Sequence, residues 1–226
     1  MQPSWLSTLS WISLAVGVVS FVIVLVDTYL YGHRQPVGVM EIVWLVTVLY
    51  IGPVAVRLYW TWGRPEALAP SPRKDRSRRP HRGTIVTQVS RCGAHCALGF
   101  VVAEVALYGF DLPRSPLWIG YAGDYLMAVT IAVLFRLFES PRRSLAEVWR
   151  ALATVVKVEL VTITAFEVAL FGWLTLAHHM VFPEPPLRLD SPTFWFAGQI
   201  GMIAGFVTAW PAASWQIGRR MSVAAR

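Results

Sequence analysis

The sequence predicts an all-α fold: a polytopic transmembrane helical bundle of six spans with both chain ends in the cytoplasm. Of its 226 residues, 55% are hydrophobic and only 15% are charged, whereas soluble domains average about 25% charged residues. Apolar runs of roughly 20 residues, enough to cross a bilayer at 1.5 Å per residue, recur along the chain. No alternation of apolar and polar residues typical of strands persists, and an open sheet edge cannot face lipid.

The first two predicted spans form an N-terminal transmembrane hairpin within residues 1–63. Residues 1–26 carry no charge, and their apolar run continues to residue 31. A signal peptide would have a basic start and a small-residue cleavage site, and neither is present, so we expect this segment to remain as a span. A turn over residues 32–36 leads to the second predicted span, 37–60.

Residues 64–83 differ from the rest of the chain, because four prolines and a run of basic side chains replace the apolar pattern. We interpret this segment as a basic, Pro-rich cytoplasmic linker. A four-helix transmembrane domain is predicted for 84–220, followed by a cytoplasmic tail, 221–226. Its four spans are 84–110, 115–138, 148–182 and 191–218, and the third of these is long enough to tilt, bend or project from the membrane.

The distribution of basic residues predicts the orientation. With six spans, fifteen of the twenty Lys and Arg residues lie on the side of the chain ends, and only Arg34, Arg114 and Arg188 lie on the other. The positive-inside rule therefore places both ends in the cytoplasm. We interpret the basic linker as an orientation signal that contacts anionic lipid. We do not expect nucleic acid as a partner, because no aromatic residues are interleaved with the basic ones.

Six ionisable side chains fall within the last four predicted spans, where each costs roughly 2.5 to 3.5 kcal/mol near a helix centre. They are Arg91, Glu104, Asp124, Lys157, Glu159 and Glu167. They form either a structural salt-bridge network or a functional centre. Counting residues from the helix ends gives Glu104 and Glu167 a similar depth, and two carboxylates sharing a dry site would hold a proton or a cation.

A second group of candidate site residues lies in the third span. Cys92, His95 and Cys96 follow one another at helical spacings of three and four, so their side chains lie on adjoining faces. Thiolate and imidazole donors suit Cu(I) or Zn(II), which predicts a copper or zinc site. The alternative is that both cysteines are small packing residues in a membrane helix.

The last span contains Gly201 and Gly205, a small-xxx-small pattern that lets another helix approach closely. This seam packs either a helix of the same chain, a second copy of the chain or a membrane partner.

The stretch from residue 83 to 220 resembles a bacterial membrane family described as domain of unknown function 4396. The motifs that carry the resemblance are CGAHCALG at 92–99 with Glu104, Asp124 with Tyr125, LVTITAFEVALFGW at 160–173, and FWFAGQIGMIAGFVTAWP at 194–211. The family pattern has His before the first cysteine and Asp at position 100, where this chain has Arg91 and Phe100. The resemblance implies a multi-span helical domain in the bacterial cytoplasmic (inner) membrane, and it brings no established activity.

Two classes of function remain from the sequence. The leading hypothesis is a multi-pass protein that binds or transports a cation or soft metal, with the acidic residues as counter-charges or proton carriers. The alternative is a non-catalytic accessory or scaffold subunit of a membrane complex. We predict no enzymatic activity, since the sequence contains no HExxH, GxSxG or phosphate-loop motif.

Overall fold

The computed structural model of the protein describes residues 4–65, 81–110, 117–139, 144–181 and 189–224. These residues fold into helices and short connections with no strand among them, which confirms the all-α class. Most of the predicted linker 64–83 and the last two residues of the predicted tail 221–226 lie outside the described residues.

Eight α-helices make up the described structure. They are α1 Ser4–Tyr29, α2 Gly38–Ile51, α3 Pro53–Leu58, α4 His81–Gly109, α5 Leu117–Glu139, α6 Leu145–Thr154, α7 Leu160–Leu176 and α8 Pro192–Ala224. π-helical turns follow α3 (Tyr59–Gly63), α6 (Val155–Glu159) and α7 (Ala177–Val181). The middle turn joins α6 and α7 into one stretch, Leu145–Val181.

Five helical stretches among the described residues are long and apolar enough to cross a membrane, as expected of an integral membrane protein. They are α1, α4, α5, the joined α6 and α7, and α8. The predicted count of six spans is not confirmed, because the predicted second span, 37–60, is not one helix.

That segment is instead a helical hairpin, 38–63, made of α2, α3 and the π-helical turn. At Gly52 the backbone adopts φ 73° and ψ −141°, a conformation open to glycine because it lacks a Cβ. The chain reverses there, so the rings of Trp44 and Tyr59 pack 5.7 Å apart. The Gln35 side-chain amide, just before α2, donates to the Gly63 carbonyl over 2.9 Å.

Helix α4 runs through the centre of the protein and contacts α2, α5, α7 and α8. Its small residues permit close packing: a Cβ added at Gly99 would lie 2.6 Å from the Ala128 backbone nitrogen of α5. The predicted glycine seam also packs within the chain. A Cβ at Gly201 or Gly205 would lie 2.6 Å from Leu170 or 2.7 Å from Phe166, both on α7. The seam is thus covered by the chain's own helix.

Candidate functional site

The two cysteines of α4 face the protein interior. Cys92 and Cys96 are one helical turn apart, both are free thiols, and both are buried. They lie next to each other, and the Cys96 thiol is also adjacent to the Glu167 carboxyl group of α7. The inward face of α4 therefore presents two thiols to a carboxyl group.

Tyr50, from the last turn of α2, reaches the same place. A Cβ added at Gly93 would lie 2.2 Å from the Tyr50 hydroxyl oxygen and 3.2 Å from the ring of Phe166. Gly93 is therefore the residue that leaves space for this hydroxyl group between α2, α4 and α7. We call Tyr50, Cys92, Cys96 and Glu167 the Glu167 centre.

The Glu167 centre is buried, and two of its polar groups lack regular hydrogen bonds. Glu167 is 1% exposed and Tyr50 is 4% exposed. Within the described part of the chain, neither Glu167 carboxylate oxygen nor the Tyr50 hydroxyl has a hydrogen-bond partner of regular geometry. Buried polar groups are ordinarily hydrogen-bonded. A buried carboxyl group without a regular hydrogen bond is stable when it is protonated or when a cation balances its charge.

His95 does not join the cysteines. Its ring packs edge-on against Phe135 with 4.9 Å between ring centres, and its Nδ1 lies 3.5 Å from Oε2 of Glu159. Among the described residues, no group of three His, Cys, Asp or Glu side chains is arranged to hold a metal ion. The predicted copper or zinc set of Cys92, His95 and Cys96 is thus divided between two environments.

Glu159 belongs to a second cluster, which we call the ion-pair network. Arg136 Nε donates to Glu159 Oε1 over 2.8 Å, and its Nη2 contacts the same oxygen. Arg91 Nη1 donates to Glu139 Oε1 over 2.7 Å, and Arg136 Nη1 lies 3.8 Å from Glu139 Oε2. Together with His95, these four residues join α4, α5 and the turn before α7.

The remaining predicted charged residues are Glu104, Asp124 and Lys157. Glu104 is half-buried, and it follows Cys96 by eight residues, or about 12 Å along α4. Because Glu167 lies beside Cys96, the two carboxylates are not at the same depth, and the expected pairing of Glu104 with Glu167 is not found. Lys157 is exposed on the outside of the bundle, whereas Asp124 is buried in α5.

Three residues of these clusters were missed by sequence reasoning. Arg136 and Glu139 end α5, where sequence alone predicts ordinary charges at the membrane surface. Tyr50 carries no signal of its own, since an aromatic residue in an apolar run is ordinary. Only the break at Gly52 places it beside Gly93, and the Gly52-Pro53 pair was the available signal for that break.

The profile of a family described as domain of unknown function (DUF4396) matches residues 83–222, well over half of the chain. The chain belongs to the DUF4396 family. The DUF4396 region contains α4 to α8 and hence Cys92, Cys96, Glu167 and the whole ion-pair network. The hairpin that supplies Tyr50 precedes it. No curated protein and no solved structure matches the chain.

Proposed function

We propose that the protein is a non-enzymatic membrane protein that binds a cation at the Glu167 centre and passes it across the membrane, and that this cation is a proton. The observation that carries the proposal is the buried Glu167 carboxyl group, which lies beside the Cys96 thiol and whose oxygens make no hydrogen bond of regular geometry among the described residues. We place the protein in the bacterial cytoplasmic membrane, with lipid as its surrounding partner.

The energetic argument concerns the charge of this carboxyl group. An ionised carboxylate without a partner is too costly in a low-dielectric interior, so the group must hold a proton or a cation. The nearest basic side chains are already engaged: Arg91 pairs with Glu139, and Arg136 pairs with Glu159. The positive charge that balances Glu167 therefore comes from outside the described side chains.

The choice of a proton over a soft metal follows from the donor set. Carboxyl, thiol and phenol groups can each carry a proton in a dry site. Zinc requires about four ligands in a tetrahedral arrangement, and the two thiols stand without the imidazole that the sequence predicted. A two-coordinate Cu(I) site would need both thiols ionised, which burial opposes.

The accessory-subunit alternative rested on static bridges between ionisable residues and on the glycine seam as a docking face for a homo-oligomer or a membrane partner. The ion-pair network agrees with the first part of this alternative. Gly201 and Gly205 contact α7 of the same chain, so that seam gives no support to the alternative.

The first experiment is labelling of the purified full-length protein with a hydrophobic carbodiimide, which adds to protonated carboxyl groups in apolar surroundings. We expect Glu167 to be modified at neutral pH, with the site located by mass spectrometry. Glu159 is the matched control: it is equally buried, but its carboxylate contacts Arg136, and we expect this contact to prevent the reaction. Labelling of Glu159 in preference to Glu167 would overturn the proposal.

The second experiment measures proton flux into proteoliposomes under an imposed potential. Glu167→Gln removes the proton-binding group, so we expect flux to fall to the background of empty vesicles. Flux equal to wild type would contradict the proposal.

Metal analysis of wild type and of Cys92→Ser/Cys96→Ser is the third measurement. Stoichiometric copper or zinc in wild type that the double variant lacks would replace the proton with a soft metal.

A further inference from the structure

Both ends of the helical hairpin lie at the same end of the bundle. Gln35 and Gly63 are joined by a hydrogen bond of 2.9 Å, although 28 residues of continuous helix would separate them by about 42 Å. Both hairpin ends lie at the C-terminal end of α1. There, Asp27 accepts a hydrogen bond from the Tyr59 hydroxyl over 2.9 Å and pairs with Arg64 over 3.1 Å.

The hairpin tip lies half-way along α1. A Cβ at Gly52 would lie 3.5 Å from Val16, in the middle of the 26-residue helix. The longer limb, α2, has 14 residues, or about 21 Å, which is shorter than a hydrocarbon core of about 30 Å. Non-helical backbone at membrane depth is tolerated where protein covers it. Accordingly, Leu49 of the last α2 turn accepts a hydrogen bond from the Gln199 side chain of α8.

We propose that residues 38–63 form a re-entrant hairpin that enters and leaves the membrane on the cytoplasmic side, and that its tip residue Tyr50 completes the Glu167 centre. The chain then has five spans, with the start of α1 outside the cell. The statement about Tyr50 rests on the proposed function, whereas the statement about topology does not.

The charges favour this topology. With the hairpin re-entrant, the loop containing Arg34 lies on the same side as the basic linker. The only basic residues on the opposite side are then Arg114 and Arg188, against sixteen on the cytoplasmic side. Six spans leave Arg34 on the outer side as well, so the five-span arrangement follows the positive-inside rule more closely.

The Tyr50 hydroxyl reaches Gly93 of α4 and lies beside both thiols. Thr47, one turn earlier, lies 3.4 Å from the Ser90 carbonyl of α4, so α2 runs alongside α4 and carries the Tyr50 hydroxyl to Gly93. A hydroxyl group at this point can accept and donate a proton beside the thiols, and the Cys96 thiol adjoins Glu167.

Topology is tested by labelling single cysteines in whole cells with a membrane-impermeant maleimide. Trp5→Cys and Leu30→Cys are the deciding variants, because their positions are 66% and 77% exposed at opposite ends of α1. We expect Trp5→Cys to be labelled in intact cells and Leu30→Cys to be labelled only after permeabilisation. Six spans require the reverse result, which would overturn the proposal.

Two further positions serve as matched controls, because the five-span and six-span topologies place each of them on the same side of the membrane. Phe110→Cys, 77% exposed after α4, is expected to react in intact cells, and Leu145→Cys, 82% exposed at the start of α6, only in permeabilised cells. Wild type supplies the background, because both native cysteines are buried.

Tyr50 is tested by Tyr50→Phe, which removes the hydroxyl group and keeps the ring. We expect proteoliposome proton flux to fall at least about fivefold, which corresponds to a rise of about 1 kcal/mol in the barrier to proton passage once the hydroxyl group is removed, and its pH profile to be displaced. Tyr125→Phe, at a hydroxyl group bonded to Thr164 on the bundle surface, should leave the proton flux and its pH profile unchanged.

If Glu167→Gln abolishes flux but Tyr50→Phe does not change it, the proposed role of Tyr50 is wrong and the proposed function stands. If Glu167→Gln has no effect, the proposed function fails, and the labelling result still decides the topology.

Discussion

Glu159 and Glu167 lie eight residues apart on one helical stretch, and each is 1% exposed, yet their surroundings are opposite. Glu159 contacts the guanidinium group of Arg136 and faces the His95 ring. Glu167 faces the Cys96 thiol and apolar side chains, and its oxygens make no hydrogen bond of regular geometry within the described residues.

The difference shows that burial alone does not define the role of a charged residue in a membrane helix. A carboxylate that contacts two guanidinium nitrogens through one oxygen, as Glu159 does with Arg136, is neutralised in place and joins neighbouring helices. A carboxyl group without such a partner is neutral only while something is bound to it, so its charge can change during function.

Breaking the ion-pair network should have the largest effect. Arg136→Ala leaves the Glu159 carboxylate buried without its counter-charge, which typically costs about 3 to 5 kcal/mol of unfolding free energy. Unfolding in mixed detergent and SDS micelles measures this loss. The control is Arg150→Ala, because Arg150 is 72% exposed in its pair with Glu147 and such surface pairs contribute about 0.2 to 1 kcal/mol. Equal losses in the two variants would remove the distinction between a structural network and an ordinary surface pair.

An intermediate effect is expected at the contact that brings Tyr50 to the Glu167 centre. Gly93→Ala places a methyl group 2.2 Å from the Tyr50 hydroxyl oxygen, and overpacking of this kind costs about 1 to 3 kcal/mol. Gly172→Ala in α7 is the matched control, since nothing lies within 4 Å of its added Cβ. The same unfolding assay compares them. A Gly93→Ala variant as stable as the control would show that Tyr50 is not held against α4.

The smallest effect on stability is expected at Glu167 itself. Glu167→Gln exchanges a protonated carboxyl group for a neutral amide of similar shape, so the unfolding free energy should change by no more than about 1 kcal/mol. Glu159→Gln, which removes the closer of the two carboxylates that Arg136 contacts, should cost more. Losses of similar size in the two variants would indicate that Glu167 has an ionic partner after all.

Much of the fold could be predicted from the sequence, because long apolar runs permit few structures in lipid. The predicted span 84–110 corresponds closely to α4, His81–Gly109, and the predicted 115–138 to α5, Leu117–Glu139. The predicted second span, 37–60, is not a single helix, because a hydropathy pattern counts apolar residues and does not register chain reversal. Gly52 and Pro53 contained that information as a turn signal.

The candidate site was predicted in part. Spacing correctly brought Cys92 and Cys96 to one face of α4, but it placed His95 only on an adjoining face. Which face meets which neighbour depends on tertiary packing: α7 covers the cysteines, and α5 brings Phe135 to His95. Glu104 and Glu167 were matched by counting residues from helix ends, and that count assumed that the two helical stretches start at the same depth. Glu167, 22 positions after Leu145, instead lies beside Cys96, 15 positions after His81.

The short limbs of the hairpin also constrain how the nascent chain is integrated into the bilayer. The limbs have 14 and 11 residues, so neither meets the length at which a segment partitions into lipid by itself. Their buried contacts come from α1, which is synthesised before them, and from α4, which is synthesised after them. In the proposed re-entrant topology, we therefore expect a ribosome-bound chain that has not yet produced α4 to hold the hairpin at the headgroup level. We expect its entry into the bilayer to be a late event of biogenesis, which follows the synthesis of Ser90 and Gly93 and is completed by the contact of Gln199 with Leu49.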